Sequence, residues 1–458
     1  MDVGEGPSNA PIHGTTTIQA GDTVLIKIPS GDVRTLKIEK GGTIHLGKFG
    51  SFYSGELIGQ PYGLTYDIVE KKLKVVPPRT FQEVEDTGAT NELINDAQIQ
   101  PMTVHEVEAL KKSGISAEEI IKRQIEQHSS FELKTEYSKE KYKKRKEAKY
   151  SKSFSTVIPT LFNVTDYWFK KDQNRLRDIR PDSLSQMLNL ANIRPGGKYL
   201  AVDEASGIVI AGILERLGGN GRLITLCDVE SPPAYPALTQ MNFDKKLTSI
   251  MSSLNWATAD EDYTPVLTLI DTQSGPAKSE SQRSRQNKRK AMANALTETR
   301  EELFAGEFDG LIVASQYDPF SILEELSPYL GGSASIVVHS PQVQILSDLA
   351  AKLKDIPTYL APAVSEAWLR QYQILPGRTH PLMNASGSGG FILHTIKVYD
   401  DPSASSVMAH RKAAKKARTE QTEAEPSHST PDQEQEAITE VKAKPSDSME
   451  VDSSNSNS

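Results

Sequence analysis

The chain has 458 residues and 37% hydrophobic content, enough for two folded domains, and one cysteine, Cys227, which excludes an internal disulfide and fits a reducing, intracellular compartment. No run of about 18 apolar residues occurs, so no membrane-spanning helix is expected, and the start MDVGEGPSNAPIHG lacks the apolar stretch of a secretory signal. The net charge of −8 does not exclude a nucleic-acid partner: Thr419 to Ser458 alone hold ten acidic residues against two lysines, which leaves residues 1–418 neutral.

Residues 1–14 read as a loose leader. From 15 to 78 the pattern is β. Val24, Ile26 and Ile28 alternate with other positions, Pro29-Ser30-Gly31-Asp32 is a turn, and Val33 to Ile38 returns. Thr43 to Leu46 follows Gly41-Gly42, and Leu64–Val69 with Leu73–Val76 makes a further hairpin. Short strands punctuated by Gly and Pro predict a small N-terminal β-barrel domain. Residues 79–153 form a linker. Its polar start leads to two helices with capping boxes, Thr103 with Glu106 and Ser116 with Glu119. The segment then becomes strongly basic over SKEKYKKRKEAKYSK, residues 138–152.

From 154 to 400 strands and helices alternate, which predicts an α/β, Rossmann-like, methyltransferase-type doubly wound sheet. The strands are expected at Lys198–Val202, Arg222–Cys227, Val266–Ile270, Asp309–Ala314, Ser335–His339 and Phe391–Val398. Helices are expected at Ile208–Leu217 and Phe320–Leu330. Residues 272–300 read as a polar, basic insertion. Residues 401–458 have the composition of a disordered acidic tail.

In a doubly wound sheet the first strand enters a glycine-rich turn, where the backbone approaches a cofactor closely. Here the turn reads Val202-Asp203-Glu204-Ala205-Ser206-Gly207-Ile208-Val209. Against the acid-then-Gly-x-Gly-x-Gly pattern of S-adenosylmethionine sites, Ala205 and Val209 replace two glycines and Gly207 remains. The loop is degenerate, and no cofactor is expected to bind this chain. Asp228 or Glu230, after the second strand, fits either a ribose-holding acid or a turn cap. No Cys or His spacing fits a metal site.

Several long segments carry a resemblance: LGKFGSFYSGELIGQPYGLTY, LKKSGISAEEIIKRQIE, FELKTEYSKEKYKKRK, RPDSLSQMLNLANIRPGGKYLAVDEASG and DGLIVASQYDPFSILEELSPYLGG. In this order, over about residues 15–400, the chain resembles the family of non-catalytic subunits of the eukaryotic tRNA adenine-58 N1-methyltransferase. The resemblance implies a heterodimer with a catalytic methyltransferase paralogue, assembled to a heterotetramer, with S-adenosylmethionine bound by the partner subunit. It also implies tRNA as the bound nucleic acid. Laying Pro319-Phe320 on the Pro-Trp of the paralogue's L-D-x-P-x-P-W pattern puts Ser315 in place of the catalytic acid, with Asp318 as a nearby alternative acid. Catalytic residues are expected to be absent.

Phosphate contacts need cations, and aromatic faces stack on unpaired bases. Lys139, Lys141, Tyr142, Lys143, Lys144, Arg145, Lys146, Lys149 and Lys152 with Tyr150 in the linker, and Arg378 in the loop 375–390, are the RNA candidates; His380 beside it is a weaker one. A solvated helix face is the competing reading of the linker run. The cluster Arg283, Arg285, Lys288, Arg289 and Lys290 fits RNA contact or nuclear import. The run His410 to Arg418 fits import, and the nucleus is the expected location. Two other functional readings stay open: an active methyltransferase with an unusual cofactor loop, and an interaction protein of translation initiation.

Overall fold

The computed structural model describes residues 17–76, 117–127, 153–229, 233–263, 280–375, 378–383 and 387–399, with a few single positions between 105 and 142. Residues 1–400 form one compact unit; the second, from 401 to 458, lies outside the described residues.

The N-terminal part is an antiparallel sheet. Its strands are β1 (Thr23–Lys27), β2 (Val33–Lys37), β5 (Thr65–Val69), β6 (Lys72–Val76) and β7 (Ser153–Val157), in the order β2-β1-β7-β5-β6. A hairpin of β3 (Thr43–His45) and β4 (Ser51–Tyr53) accompanies it. The period-2 alternation turns Val24 and Ile26 into a core with Ile38, Phe52, Tyr66 and Phe154. Phe154 is its centre, stacked on Phe52 at 5.2 Å and tilted against Tyr66 at 5.6 Å. The barrel expected for residues 15–78 is corrected to an open sheet: among the described residues β2 and β6 each pair with one neighbour. Charge at the two edges, Arg34 and Lys37 on β2 and Lys72 and Lys74 on β6, opposes closure. The central strand β7 spans residue 154, where the second domain was expected to begin, and pairs with β1 and β5 of the first.

Helix α1 (Ala117–Glu126) buries Ile120 and Ile121. Beyond β7 come α2 (Leu161–Lys171) and α3 (Pro181–Leu190), then the seven-stranded sheet. Its strands are β8 (Lys198–Asp203), β9 (Arg222–Cys227), β10 (Met251–Asn255), β11 (Phe308–Ala314), β12 (Leu330–Ser340), β13 (Tyr359–Glu366) and β16 (Phe391–Lys397). The order is β10-β9-β8-β11-β12-β16-β13, parallel throughout except for β16, which runs antiparallel to both neighbours. Strands grow outward from β8 in both directions, so the topological switch lies between β8 and β11. Tyr199 and Ala201 of β8 join a core with α2, α3 and α4 (Ile208–Leu217); Leu200 and Val202 join the opposite core. That second core also takes residues of α5 (Glu280–Ala305), α6 (Pro319–Leu326) and α7 (Val343–Lys354).

The strand expected at Val266–Ile270 lies outside the described residues, among which the outer strand is Met251–Asn255. At the sheet edge only Leu254 of MSSLN is buried, so no apolar run marks it. Two other readings change here. The insertion at 272–300 is largely the helix α5. Within the loop 375–390, Arg378–Pro381 is strand β15, paired with β14 (Tyr372–Leu375).

The two sheets are tied at β1. Leu25 points away from Val24 and Ile26 into the core under α2 and α4. Asn242 makes a reciprocal pair with Thr23: the Thr23 N–H donates to Oδ1 at 2.8 Å and Nδ2 donates to the Thr23 carbonyl at 2.9 Å. Asn242 has φ +51, a conformation asparagine adopts more readily than other non-glycine residues. Asn242→Ala loses both bonds and adds backbone strain, and should destabilise the protein by about 1–3 kcal/mol in chemical denaturation. Asn242→Gly, free of the strain, should cost less.

Candidate functional site

The switch point is built around Asp203, the last residue of β8. Its buried carboxylate accepts the N–H groups of Ala205 at 2.7 Å, Gly207 at 3.3 Å and Ile210 at 3.0 Å. Burial pushes its pKa up, and these amide bonds pull it back. The turn they fix places Ser206 at φ +62 and Gly207 at φ +81, after which α4 begins. Ala205 and Val209 are fully buried in the core shared with α4.

Gly207 is required by contact as well as by φ. A Cβ there would stand 2.6 Å from the Cβ of Tyr235 and 2.8 Å from its ring. Tyr235 is buried against the turn with φ +43. Burial, and secondly the Asp203 charge, push its phenol pKa up.

The acids near the turn are also engaged from within. Glu204 accepts the Gln316 N–H at 2.6 Å, and its own N–H donates to the Ala314 carbonyl, linking the ends of β8 and β11. Asp228, after β9, accepts the hydroxyl of Tyr317 at 3.0 Å, and that bond is the largest cause of the raised Tyr317 pKa. Glu230 lies outside the described residues. Ser315 is buried and its Oγ accepts the Tyr317 N–H at 3.1 Å. Asp318 caps α6 through the N–H and Oγ of Ser321. The segment Ser315–Tyr317 therefore bridges the tips of β8, β9 and β11.

Arg180, in the RPDS segment before α3, was not singled out by sequence. It is 3% exposed and pairs with Asp182 through two bonds of 2.7 Å. It also donates to the carbonyls of Gly387 at 2.6 Å and Ala367 at 2.9 Å, pinning the exit from β13 and the approach to β16. The one signal available was an Arg-Pro-Asp beside a helix start. Nearby, His339 at the tip of β12 donates through Nε2 to the Gly389 carbonyl at 3.1 Å. Gly390 has φ +73, and a side chain there would collide with this imidazole.

The RNA candidates divide. Lys139 is 4% exposed, with its ammonium 6.0 Å from the Phe131 ring, and Tyr142 packs edge-on against the same ring at 5.7 Å. Lys139 is thus buried beside Phe131. Lys141, Lys143, Lys144, Arg145, Lys146, Lys149, Tyr150 and Lys152 lie outside the described residues. Arg378 opens β15 opposite Leu375, and His380 is exposed on the same strand. Arg283, Arg285, Lys288, Arg289 and Lys290 are all exposed on α5. No group of three His, Cys, Asp or Glu among the described residues has metal-site geometry.

Burial drives the His339 pKa down to about 4 from an ordinary 6.5, with repulsion from Arg177 a smaller contribution. Because the folded value is depressed, the neutral imidazole supports folding above about pH 6.5, and that support is lost as pH falls toward about 4. The loss between about pH 7.5 and 4.5 should be roughly 2–3 kcal/mol. Denaturation midpoints should show His339→Gln losing less stability over this range than the unsubstituted protein.

Comparison with known proteins places these features in context. A family model described as the Gcd10p family matches residues 17–300. A protein of Debaryomyces hansenii named tRNA (adenine(58)-N(1))-methyltransferase non-catalytic subunit TRM6 is 30% identical over 440 residues, covering 89% of this chain and 92% of its own. The protein of that name in Schizosaccharomyces pombe is 31% identical, covering 84% and 93%. The mouse protein is 28% identical, covering 87% and 92%. Among solved structures, the tRNA (m1A58) methyltransferase TrmI from Aquifex aeolicus is similar at 14% identity and a TM-score of 0.43, over 84% of this chain and all of that one. From the extent of the family match and of these full-length relatives, the chain belongs to the Gcd10p family.

Proposed function

We propose that this chain is the non-catalytic, tRNA-binding subunit of a tRNA (adenine-58-N1)-methyltransferase. It does not bind S-adenosylmethionine; a catalytic paralogue supplies the cofactor and the catalytic acid. The observation that carries this reading is the turn after β8, where the chain's own side chains take up the groups a cofactor would need. Val209 is buried in the core behind the turn, Tyr235 packs on Gly207, and Asp228 is bonded to Tyr317. These residues do not fit the cofactor, and Ser315 offers no carboxylate at the tip of β11.

The chain's part is then assembly and RNA positioning. Exposed Trp368, Tyr372 and Met383 cluster in sequence around the β14–β15 hairpin, next to the edge strand β13, and support an apolar face for a partner. The heterodimer pairs into a heterotetramer in this reading. Lysines 141–149 of the linker and Arg378 supply phosphate contacts. The basic run at 410–418 directs the complex to the nucleus.

Titration calorimetry of the purified chain with S-adenosylmethionine should give no heat of binding, and a micromolar signal would overturn the reading. Co-expressed with the catalytic paralogue, the chain should be required for methylation of adenine-58. Ser315→Ala should leave the rate of that complex unchanged; a loss of more than about tenfold, or about 1.4 kcal/mol of barrier, would return catalysis to this chain.

A further inference from the structure

The charges on α5 are segregated by sign along the helix. Its N-terminal part, residues 280–290, carries Arg283, Arg285, Lys288, Arg289 and Lys290 against one acid, Glu280. Its C-terminal part carries Glu298, Glu301 and Glu302 against Arg300. A helix is stabilised by acids at its N-terminus and cations at its C-terminus. The dipole acts only within the terminal turns, where Glu280 is favourable and Glu302 is not, so helix formation does not account for the cations at 285–290.

Burial shows where the helix is held. Thr299, Arg300 and Leu303 are buried. Arg300 donates to the carbonyls of Thr258 at 2.6 Å and Glu261 at 3.3 Å and lies over the rings of Tyr263 and Phe304. Glu302 pairs with Arg222 of β9 at 2.7 Å. Glu302 and Arg300 thus anchor the C-terminal end beside the β10 edge of the sheet. The five cations of the other end are exposed, and none is paired with a carboxylate among the described residues. From residue 280 to the first half-buried leucine, Leu296, the helix runs about 24 Å.

We propose that the N-terminal half of α5 is an electrostatic arm that binds the phosphate backbone of structured RNA. Its cations point around the helix rather than along one stripe, which suits a rod meeting phosphates from two strands or across a groove, not a single flat contact. Recognition of an extended basic peptide by an import receptor is disfavoured, because here the backbone is committed to helix hydrogen bonds. With tRNA as the RNA, the proposal deepens the function given above: it adds a phosphate-binding surface separate in sequence from the linker lysines.

The test replaces Arg283, Arg285, Lys288, Arg289 and Lys290 with glutamine, a good helix former that removes the charge. Circular dichroism of the full chain verifies the fold. Fluorescence anisotropy with labelled tRNA, between about 50 and 200 mM salt, reads binding by the complex with the catalytic paralogue. The expected result is a drop in affinity of at least about tenfold at the low end, and a shallower dependence of log K on log salt by about 2–4. Unchanged affinity and slope overturn the proposal, and so does a variant that loses only nuclear accumulation. Failure of the underlying reading shows separately, as unmethylated adenine-58 in the unsubstituted complex.

Discussion

A buried carboxylate has to find donors, and at Asp203 that requirement shapes the switch point. Leaving such a charge unsatisfied would cost several kcal/mol. The amides of Ala205, Gly207 and Ile210 answer it. To bring three amides onto one side chain the backbone must turn through two positive-φ residues and then start α4. The turn therefore keeps its shape with one glycine of the three. Glu204 is directed away from that cluster to the Gln316 amide, which sets the segment after β11, and Tyr317 of that segment reaches Asp228 after β9. One buried acid thus organises the tips of three adjacent strands.

The parts of the fold that sequence reading recovers are those where each residue is constrained on both faces. LITLC in β9 and LIVA in β11 are continuous buried runs, apolar but for Thr225, because helices cover both sides of the sheet. MSSLN in β10 sits at the edge and carries no such run. SFSTV in β7 is a short strand whose partners, Thr65 opposite Ser155 and Leu25 opposite Val157, lie far away in sequence, so nothing local assigns it to the first sheet. The length of polar sequence in α5 hides its helix, because only the last turns touch the core and a stripe of apolar residues is needed there alone.

The site divides along the same line. The substitutions at 205 and 209, and the serine at 315, are visible as departures from a local pattern. What fills the space is not local: Tyr235 meets Gly207, and Tyr317 meets Asp228, only because a parallel sheet brings the ends of successive strands together. Arg180 is a sharper case. In sequence it is one arginine before a proline, whereas in the fold its guanidinium holds carbonyls nearly two hundred residues away. Lys139 differs in another way: a charge run predicts an exposed side chain, and this one is buried with its ammonium near the Phe131 ring.

The changes in the glycine turn also have a thermodynamic direction. A cofactor loop keeps glycine at close-approach positions at the expense of folding, because glycine loses the most backbone entropy and packs nothing. A ligand offsets that loss by binding only the folded state. Where no ligand is held, the glycines are unsupported, and replacement is favourable wherever the backbone allows it. Val209, fully buried in α4, gains three buried carbons over glycine, roughly 2–3 kcal/mol by transfer, and helix propensity adds a few tenths more. Ala205 gains less in the same sense. Gly207 cannot follow, since φ +81 and the Tyr235 contact both forbid a side chain. The residues of the turn are thus those that folding stability favours: Ala205 and Val209 bury their side chains, and glycine stands at the one position of the three where the packed turn needs it.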